Sequence, residues 1–312
     1  MGKNDLRQLA QQWLLQMRRG EWEAAWRTSD RACELHRGLQ PREADERPLP
    51  RHLQWVWDGS SLAGKHVLVR CYHGLGDTLQ FIRFVPALRE IAREVTVWSQ
   101  AQLRPLLTSV PGIDRLVDLR DEEYEGEYDV DIEVMELAHV LRVTPATLPR
   151  AIPYIHVNDK PGRMSYDGPA RVGLVWQAGE WDSRRSVPLQ LMEELTQVGG
   201  VNFQILQRGP ARAYWRGRRA EVPPIANIVE EAGVMRALDL LICVDTLSAH
   251  LAGALGVPTW TLLPAKADWR WMEDREDTPW YPTMRLFRQD RPGDWKAVLE
   301  RITAELAREF CI

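Results

Sequence analysis

Short apolar segments alternate with helical patterns from residue 65 to the end of the chain, and this alternation limits the fold more than any other feature. Strands are predicted at 66–72, 95–99, 115–119, 128–135, 172–176, 203–207, 240–244 and 259–263. Helices are predicted between them after Asp77 through Arg93 and at 101–109, 189–197, 232–237 and 248–255, and an amphipathic helix follows at 294–309. Strands separated by helices predict parallel sheets with crossover helices, so the expected fold class is α/β.

Two more helices are predicted before this region, within residues 5–37, where an apolar stripe of helical period is broken once at Gly20. The pair resembles one tetratricopeptide unit, which cannot bury its own apolar face and must pack on something else. A linker rich in proline and charge follows. The predicted domains are therefore 1–61, 62–165 and 166–312, with the last helix a candidate to pack back on the middle domain.

The composition of the 312 residues is that of an ordinary globular protein, with 45% hydrophobic and 27% charged residues. Forty Lys and Arg against 44 Asp and Glu give a net charge of −4, so no global basic field favours nucleic acid. The cysteines form no CxxC pair, and we expect no metal. Neither a secretory signal nor a long apolar run is found, so we expect a cytoplasmic protein without a transmembrane segment.

Open α/β sheets bind ligands at the carboxyl ends of their strands, so the segments that follow strands are the candidate sites. The first is HGLGD at 73–77. Its glycines, including Gly76, allow the backbone to approach a ligand, but Leu79 stands where a dinucleotide fingerprint needs a third glycine. Asp77 is a candidate general base, and the alternative is a carboxylate that only caps the next helix.

The segment VDTLSAH at 244–250 follows another apolar strand. Asp245 and Thr246 are placed to cap the next helix, whose free N–H groups favour a phosphate. His250 is expected to face the same point, and Ser248 belongs to the same candidate set. The alternative is a capped core helix with a hydrogen-bonded, buried histidine.

Two further segments supply candidate donor-binding residues. QAGEWDSRRSVP at 177–188 carries Arg184 and Arg185, and arginine binds phosphate bidentately, although a solvated charged loop is the alternative. Gln177 and Gln207 stand at the ends of two predicted strands. The irregular segment 264–282 contains Trp271, which is a candidate to stack on a base or sugar, against the alternative of a Trp-rich packing layer.

Acceptor recognition is expected in the first α/β unit. The candidate residues are His73, Glu133, Glu136 and His139, which follow or end predicted strands. The alternative for the two glutamates is that they are solvated residues on an outer face.

Taken together, these segments resemble glycosyltransferase family 9, the ADP-heptose:lipopolysaccharide heptosyltransferases and their relatives. The motifs that carry the resemblance are HGLGDTLQFIRFVPAL, RVGLVWQAG, RRSVPL, LDLLICVDTLSAHLAGALGVPTW and DWRWMEDREDTPWYPTMRLFRQ, and it covers roughly residues 62–308. The chain is more closely similar to the bacterial subgroup with tetratricopeptide-type N-terminal helices.

The resemblance implies a GT-B fold, in which two Rossmann-like domains face each other across a cleft. It also implies an inverting, metal-independent transfer of a heptose or related sugar from a nucleotide-diphosphate sugar. That donor, with ADP among the candidate nucleotides, is a substrate, and no cofactor is implied.

The family's motifs assign roles to individual residues of this chain. Asp77 is the implied base, whereas Asp245, Thr246 and His250 are implied to contact the donor's sugar and diphosphate. Arg185 is implied to contact phosphate, and it replaces the lysine common in heptosyltransferases. Leu247 likewise replaces a usual glycine, so both departures touch the donor site.

The expected partners are the nucleotide-sugar donor and a hydroxyl acceptor on a glycan, a lipopolysaccharide-type molecule or a protein. The N-terminal helices are a candidate surface for a protein partner or for self-association. Two alternatives remain, because a fold alone does not fix a function: a nucleotide-sugar epimerase, and a non-catalytic binding or scaffold protein. The presence of Asp77, Asp245 and His250 together favours an enzyme.

Overall fold

The computed structural model describes residues 2–38, 57–119, 124–157, 168–217 and 219–311. They form two compact units: residues 1–149 with 269–273, and residues 150–268 with 274–312. Most of the predicted linker and of the polar break near residue 160 lies outside the described residues. The domain boundaries taken from the sequence stay predictions. Within the described residues, no helix has both the length and the apolar character needed to cross a membrane.

The first unit is an α/β layer preceded by a helix pair. In chain order its described helices and strands are α1 (Gly2–Arg18), α2 (Trp22–Gly38), β1 (His66–Arg70), α3 (Leu75–Phe81), α4 (Val85–Ile91), β2 (Glu94–Gln100), α5 (Arg104–Leu107), β3 (Arg115–Leu119), β4 (Val130–Glu133) and α6 (Leu137–Val140). The four strands are parallel, in the order β3-β2-β1-β4. Because β1 lies between two partners, its apolar residues Val67, Leu68 and Val69 are completely buried.

The helix pair is confirmed, and it is packed within the first unit. Trp22, Ala25 and Trp26 are buried. The indole Nε1 of Trp26 donates a hydrogen bond of 2.6 Å to the carbonyl of Val143, which follows α6. The expectation that the pair needs an outside surface for its apolar face is met here. Its assignment to the tetratricopeptide type stays a prediction.

The second unit has a larger parallel sheet. In chain order its described helices and strands are β5 (Ala170–Val175), α7 (Leu189–Leu195), β6 (Val201–Ile205), β7 (Ala220–Glu221), α8 (Ile228–Arg236), β8 (Leu240–Val244), α9 (Leu247–Leu255), β9 (Thr259–Leu263), β10 (Met284–Arg288) and α10 (Trp295–Glu309). The strand order is β10-β9-β8-β5-β6-β7. The central strand β8 is buried along its whole length. The final helix α10 places Val298 and Ile302 in the same apolar cluster as these strands.

The structure differs from the predicted elements at several places, and α6 is one helix without a predicted counterpart. The predicted strand 128–135 ends at Glu133, because a reciprocal cap between Glu133 and Glu136 begins a 3₁₀ helix at Val134–Glu136. The predicted helix 101–109 is a 3₁₀ turn followed by the short α5. Strands β7 and β10 had no predicted counterpart. β7 has two residues, and β10 is an edge strand whose MRLFR sequence mixes arginine with apolar residues.

Candidate functional site

In each unit, candidate residues follow strands that are neighbours in the sheet. In the first unit, Asp77 follows β1 and Glu133 ends β4, which pairs with β1. In the second unit, β5, β6 and β8 are adjacent and precede Arg185, Gln207 and Asp245 respectively. Because the strands are parallel, their carboxyl ends lie along one edge of each sheet. Each unit therefore contains its own cluster of candidate residues.

Asp77 is the third residue of α3, and its carboxylate is held by two donors. Gly74, the N-cap residue, donates its backbone N–H to Asp77 Oδ2 over 2.8 Å. Arg270 Nη2 donates to Asp77 Oδ1 in an ion pair. Asp77 therefore does make a capping contact, as the alternative interpretation held. Its side chain nevertheless keeps 23% of its surface exposed, so the carboxylate remains accessible to a ligand.

Glu133 is buried beside this aspartate, with only 4% of its surface exposed. Its carboxylate accepts backbone N–H bonds from Met135 over 2.6 Å and from Tyr72 over 3.3 Å. Burial raises the pKa of Glu133 to about 8, and the negative charges of Glu136 and Asp77 add to the increase, while these hydrogen bonds oppose it. His73 Nε2 lies 4.0 Å from Glu133 Oε1.

Glu136 accepts the backbone N–H groups of Glu133 over 2.9 Å and of Trp57 over 3.2 Å. Burial raises the pKa of Glu136 to about 7. The interpretation of Glu133 and Glu136 as solvated outer-face residues is therefore wrong. The capping turn holds the buried Glu133 carboxylate and the half-buried Glu136 carboxylate through backbone N–H groups.

His139 contacts the N-terminal helix pair. Its Nε2 lies 2.8 Å from Asp30 Oδ1, and Arg142 donates two hydrogen bonds to the same carboxylate, of 2.7 and 2.9 Å. Burial opposes ionisation of Asp30, but the bonds from Arg142 and His139 outweigh it and hold the pKa of Asp30 below its ordinary value. This contact gives His139 a role in docking α2, and its role in acceptor binding stays a prediction.

Asp245, Arg185 and His250 meet in the second unit at the end of β8. Arg185 Nη1 donates to the carbonyl oxygen of Asp245 over 2.9 Å and lies 3.8 Å from its carboxylate oxygen Oδ2. His250 Nε2 lies 3.9 Å from Asp245 Oδ1. All three residues are buried. The histidine of α9 thus faces the aspartate that precedes the helix, as the sequence predicts. Thr246 is the N-cap of α9, and its side chain makes no capping hydrogen bond.

The other nitrogen of His250 is occupied by Tyr281, whose hydroxyl lies 3.0 Å from Nδ1. The Tyr281 ring lies directly against α9 at Gly253, where an added Cβ would come within 2.4 Å of the ring. Only glycine permits this approach, so the sequence of α9 and the orientation of His250 are linked.

Ser248 and Gln207 make mainly structural contacts. Ser248 Oγ donates to Glu231 Oε1 over 3.1 Å, and Arg208 pairs with the other carboxylate oxygen of Glu231 over 3.1 Å. Burial raises the pKa of Glu231. Gln207 Oε1 accepts the backbone N–H groups of Trp176 and Gln177. These contacts fix the loop after β5.

Arg184 and Trp271 occupy different surroundings from the cluster around Asp245. Arg184 is exposed and pairs with Asp182, two residues earlier. Trp271 belongs to the first unit and has 1% of its surface exposed. Trp269 and Trp280 are buried as well, so the packing alternative describes these three tryptophans. A ligand-stacking role for Trp271 stays a prediction.

Sequence reasoning missed Arg270, Tyr281 and Glu231. Arg270 and Tyr281 lie in a segment whose spacing has no period, so no pattern identified their partners. Glu231 lies in α8, where a glutamate ordinarily indicates an exposed position. Each acquires its contact through the tertiary fold, and Arg270 is 193 positions from Asp77 in the chain.

Comparison with known proteins places this arrangement in context. No family model matches the chain. Protein FlbA of Caulobacter vibrioides is 24% identical, with 81% of this chain covered. The chain spans about half the length of that curated relative, 48%.

Solved structures resemble the chain over most of its length. The glycosyl transferase family 9 structure from Veillonella parvula has a TM-score of 0.53 and 14% identity, covering 80% of this chain and 98% of its own. The E. coli heptosyltransferase WaaC with ADP has a TM-score of 0.52 and 14% identity, covering 78% of this chain and 98% of its own. With its two parallel sheets, the chain therefore has the GT-B-like fold of these family 9 structures.

Proposed function

We propose that the chain is an inverting glycosyltransferase that moves a heptose or a related sugar from a nucleoside-diphosphate sugar to a hydroxyl acceptor, without a metal ion. One observation carries the proposal. The chain combines a GT-B-like fold with an accessible aspartate after β1 in one unit, and with an aspartate, an arginine and a histidine together at the ends of β5 and β8 in the other. Because WaaC was solved with ADP, ADP is the first nucleotide to test.

In the proposed reaction, Asp77 takes the proton of the acceptor hydroxyl while its oxygen attacks the anomeric carbon of the donor sugar. The bond from that carbon to the diphosphate oxygen breaks, and its electron pair leaves with the diphosphate. A hydroxyl is a weak nucleophile, and a positioned base typically contributes about 10²–10⁴-fold to such a step. Attack opposite the leaving group inverts the configuration.

Negative charge develops on the leaving diphosphate, and the second unit contains groups that can stabilise it. Arg185 supplies a guanidinium beside Asp245. The helix α9 begins directly after Thr246, and its first N–H groups favour an anion. His250 is oriented by Tyr281, so its Nε2 is directed toward Asp245 and is suited to donate to the sugar or the diphosphate.

Thermal unfolding in the presence of nucleoside diphosphates tests the donor half of the proposal. We expect ADP at about 100 times its Kd to add roughly 2.7 kcal/mol of stability, and the shift should survive EDTA. Arg185→Ala should weaken ADP binding. Arg291→Ala, which removes an exposed arginine of the same unit, is the control and should bind ADP as the wild type does.

A panel with UDP and GDP separates the nucleotides. Stabilisation by any one of them supports the proposal and identifies the donor base. Absence of a shift with every diphosphate would contradict it and favour a binding or scaffold protein.

A further inference from the structure

Arg270 reaches Asp77 from a segment that follows β9 in the chain but belongs to the first unit. Its side chain is 10% exposed, so the guanidinium is largely removed from water, while Asp77 stays partly exposed. Its guanidinium lies over the Trp269 ring, with 4.8 Å between the guanidinium carbon and the ring centroid. The Phe81 ring lies 5.6 Å away on the same measure. Two aromatic rings thus restrict the movement of the guanidinium.

A hydrogen bond to Gln80 fixes the direction in which the guanidinium of Arg270 points. Arg270 Nε donates to Gln80 Oε1 over 2.7 Å. Gln80 is completely buried, and within the described residues its Nε2 atom has no hydrogen-bond partner. A buried amide left half satisfied costs about 1–3 kcal/mol, so an apolar residue would be the more stable choice for packing alone. The contact with Arg270 explains why an amide stands there.

Arg270 and the Gly74 backbone together hold the Asp77 carboxylate in one orientation. Oδ2 is held by the Gly74 N–H group and Oδ1 by Arg270 Nη2. Each oxygen keeps a second lone pair, because a carboxylate has about four acceptor sites. The carboxylate can therefore accept a further hydrogen bond from one direction without turning.

We propose that Arg270 is a positioning residue for Asp77, aiming the carboxylate at the acceptor hydroxyl, with Gln80, Trp269 and Phe81 setting its own orientation. This inference rests on the proposed function of Asp77 as the base. Arg270 acts through Asp77 and takes no proton itself. Its loss should lower the rate of the chemical step and leave the donor site of the second unit unchanged.

The test is a double-mutant cycle with Asp77→Asn, Arg270→Gln and both together, with ADP-heptose as the donor, water as the acceptor and ADP release as the readout. We expect Arg270→Gln to lower kcat roughly 100-fold, the cost of a misplaced catalytic group, with KM for the donor unchanged. In the Asp77→Asn background the same change should have no further effect on the rate. Arg270→Lys should recover part of kcat, because a lysine can pair with Asp77 but lacks the planar fork.

Thermal unfolding of the same four proteins, without nucleotide, tests the ion pair independently of activity. Each single change leaves the other member of the ion pair without its charged partner. We therefore expect the free energy of unfolding of the double variant to be no lower than that of the less stable single variant. Arg89→Gln is the control, because it removes another arginine–aspartate pair of the first unit, with Asp114, and should leave kcat unchanged.

The outcomes separate this inference from the proposed function. An active wild type with a fully active Arg270→Gln variant overturns the inference alone. So does an equal loss of rate in the wild-type and Asp77→Asn backgrounds, since Arg270 would then act independently of Asp77. A wild type that binds no nucleotide and releases no ADP overturns the proposed glycosyltransferase function, and the positioning role of Arg270 with it. The unfolding cycle still reports whether the ion pair between Asp77 and Arg270 forms.

Discussion

Two acidic residues of the first unit lie close together in very different surroundings. Asp77 is partly exposed and paired with Arg270, whereas Glu133 is buried and accepts hydrogen bonds from the backbone N–H groups of Met135 and Tyr72. Burial raises the pKa of Glu133 to about 8, so this carboxyl group is mostly protonated in the folded protein at neutral pH. A neutral carboxyl can donate a hydrogen bond, which a carboxylate cannot.

Glu133 therefore predicts a pH dependence of stability. Its folded pKa lies above the value of 4.5 for an unperturbed glutamate, so its stabilising contribution is complete below about pH 4.5 and is lost as the pH rises toward 8. Relative to Glu133→Gln, the free energy of unfolding of the wild type should fall with pH by at most about 1.4 kcal/mol per unit across this range. Urea unfolding at several pH values measures the difference.

The control for this measurement is Glu127→Gln, which changes an exposed glutamate of the same unit and should give a profile parallel to the wild type. Parallel profiles for Glu133→Gln and the wild type would contradict the assignment of a raised pKa.

At the same scale, the limits of sequence reasoning are visible in particular residues. Asp77, Asp245 and His250 could be predicted because each follows a strand in a short motif. Arg270 could not, since its partner is 193 positions away and its neighbours in the segment have no period. The burial of Glu133 was also missed, because the reciprocal cap that ends β4 is a local hydrogen-bond arrangement that competes with strand formation.

Among the elements, α9 shows how small residues allow close packing. All but its first residue are buried, and Gly253 provides the space for the Tyr281 ring. The sequence predicted this helix because its apolar pattern begins directly after a segment typical of helix N-termini. In the structure, its C-cap Gly256 adopts the left-handed conformation that often ends helices. Strand β10 was missed because its sequence MRLFR mixes two arginines with apolar residues without a strict alternation.

Replacing Gly253 by alanine tests the contact between α9 and Tyr281. The added Cβ would lie 2.4 Å from the ring, so the ring must move and its hydrogen bond to His250 should weaken. We expect a loss of about 1–3 kcal/mol in the free energy of unfolding, as for other overpacked cores, together with weaker ADP binding.

Gly233→Ala in α8 is the matched control, because a Cβ there meets no atom within 4 Å. It should stabilise the protein by about 0.5–1 kcal/mol through helix propensity, without changing ADP binding. Equal effects of the two substitutions on stability and binding would show that the packing of Tyr281 on Gly253 does not matter.

At the scale of the whole molecule, the alternation of strands and helices predicted two α/β units, and the two parallel sheets confirm it. What the alternation could not predict is the path of the chain. Residues 269–273 follow a strand of the second unit yet belong to the first. That assignment depends on aromatic contacts such as Trp269 with Trp13, at 5.0 Å between ring centroids, which arise only in the folded chain.

The central claim is that this fold performs sugar transfer with Asp77 as the base. The most direct measurement is ADP release from ADP-heptose, with water as the acceptor and in EDTA, by the wild type and by Asp77→Asn, with ADP affinity measured in parallel. We expect the wild type to release ADP, and Asp77→Asn to lose at least about 100-fold in rate while binding ADP as before. Release at the wild-type rate by Asp77→Asn would contradict the account.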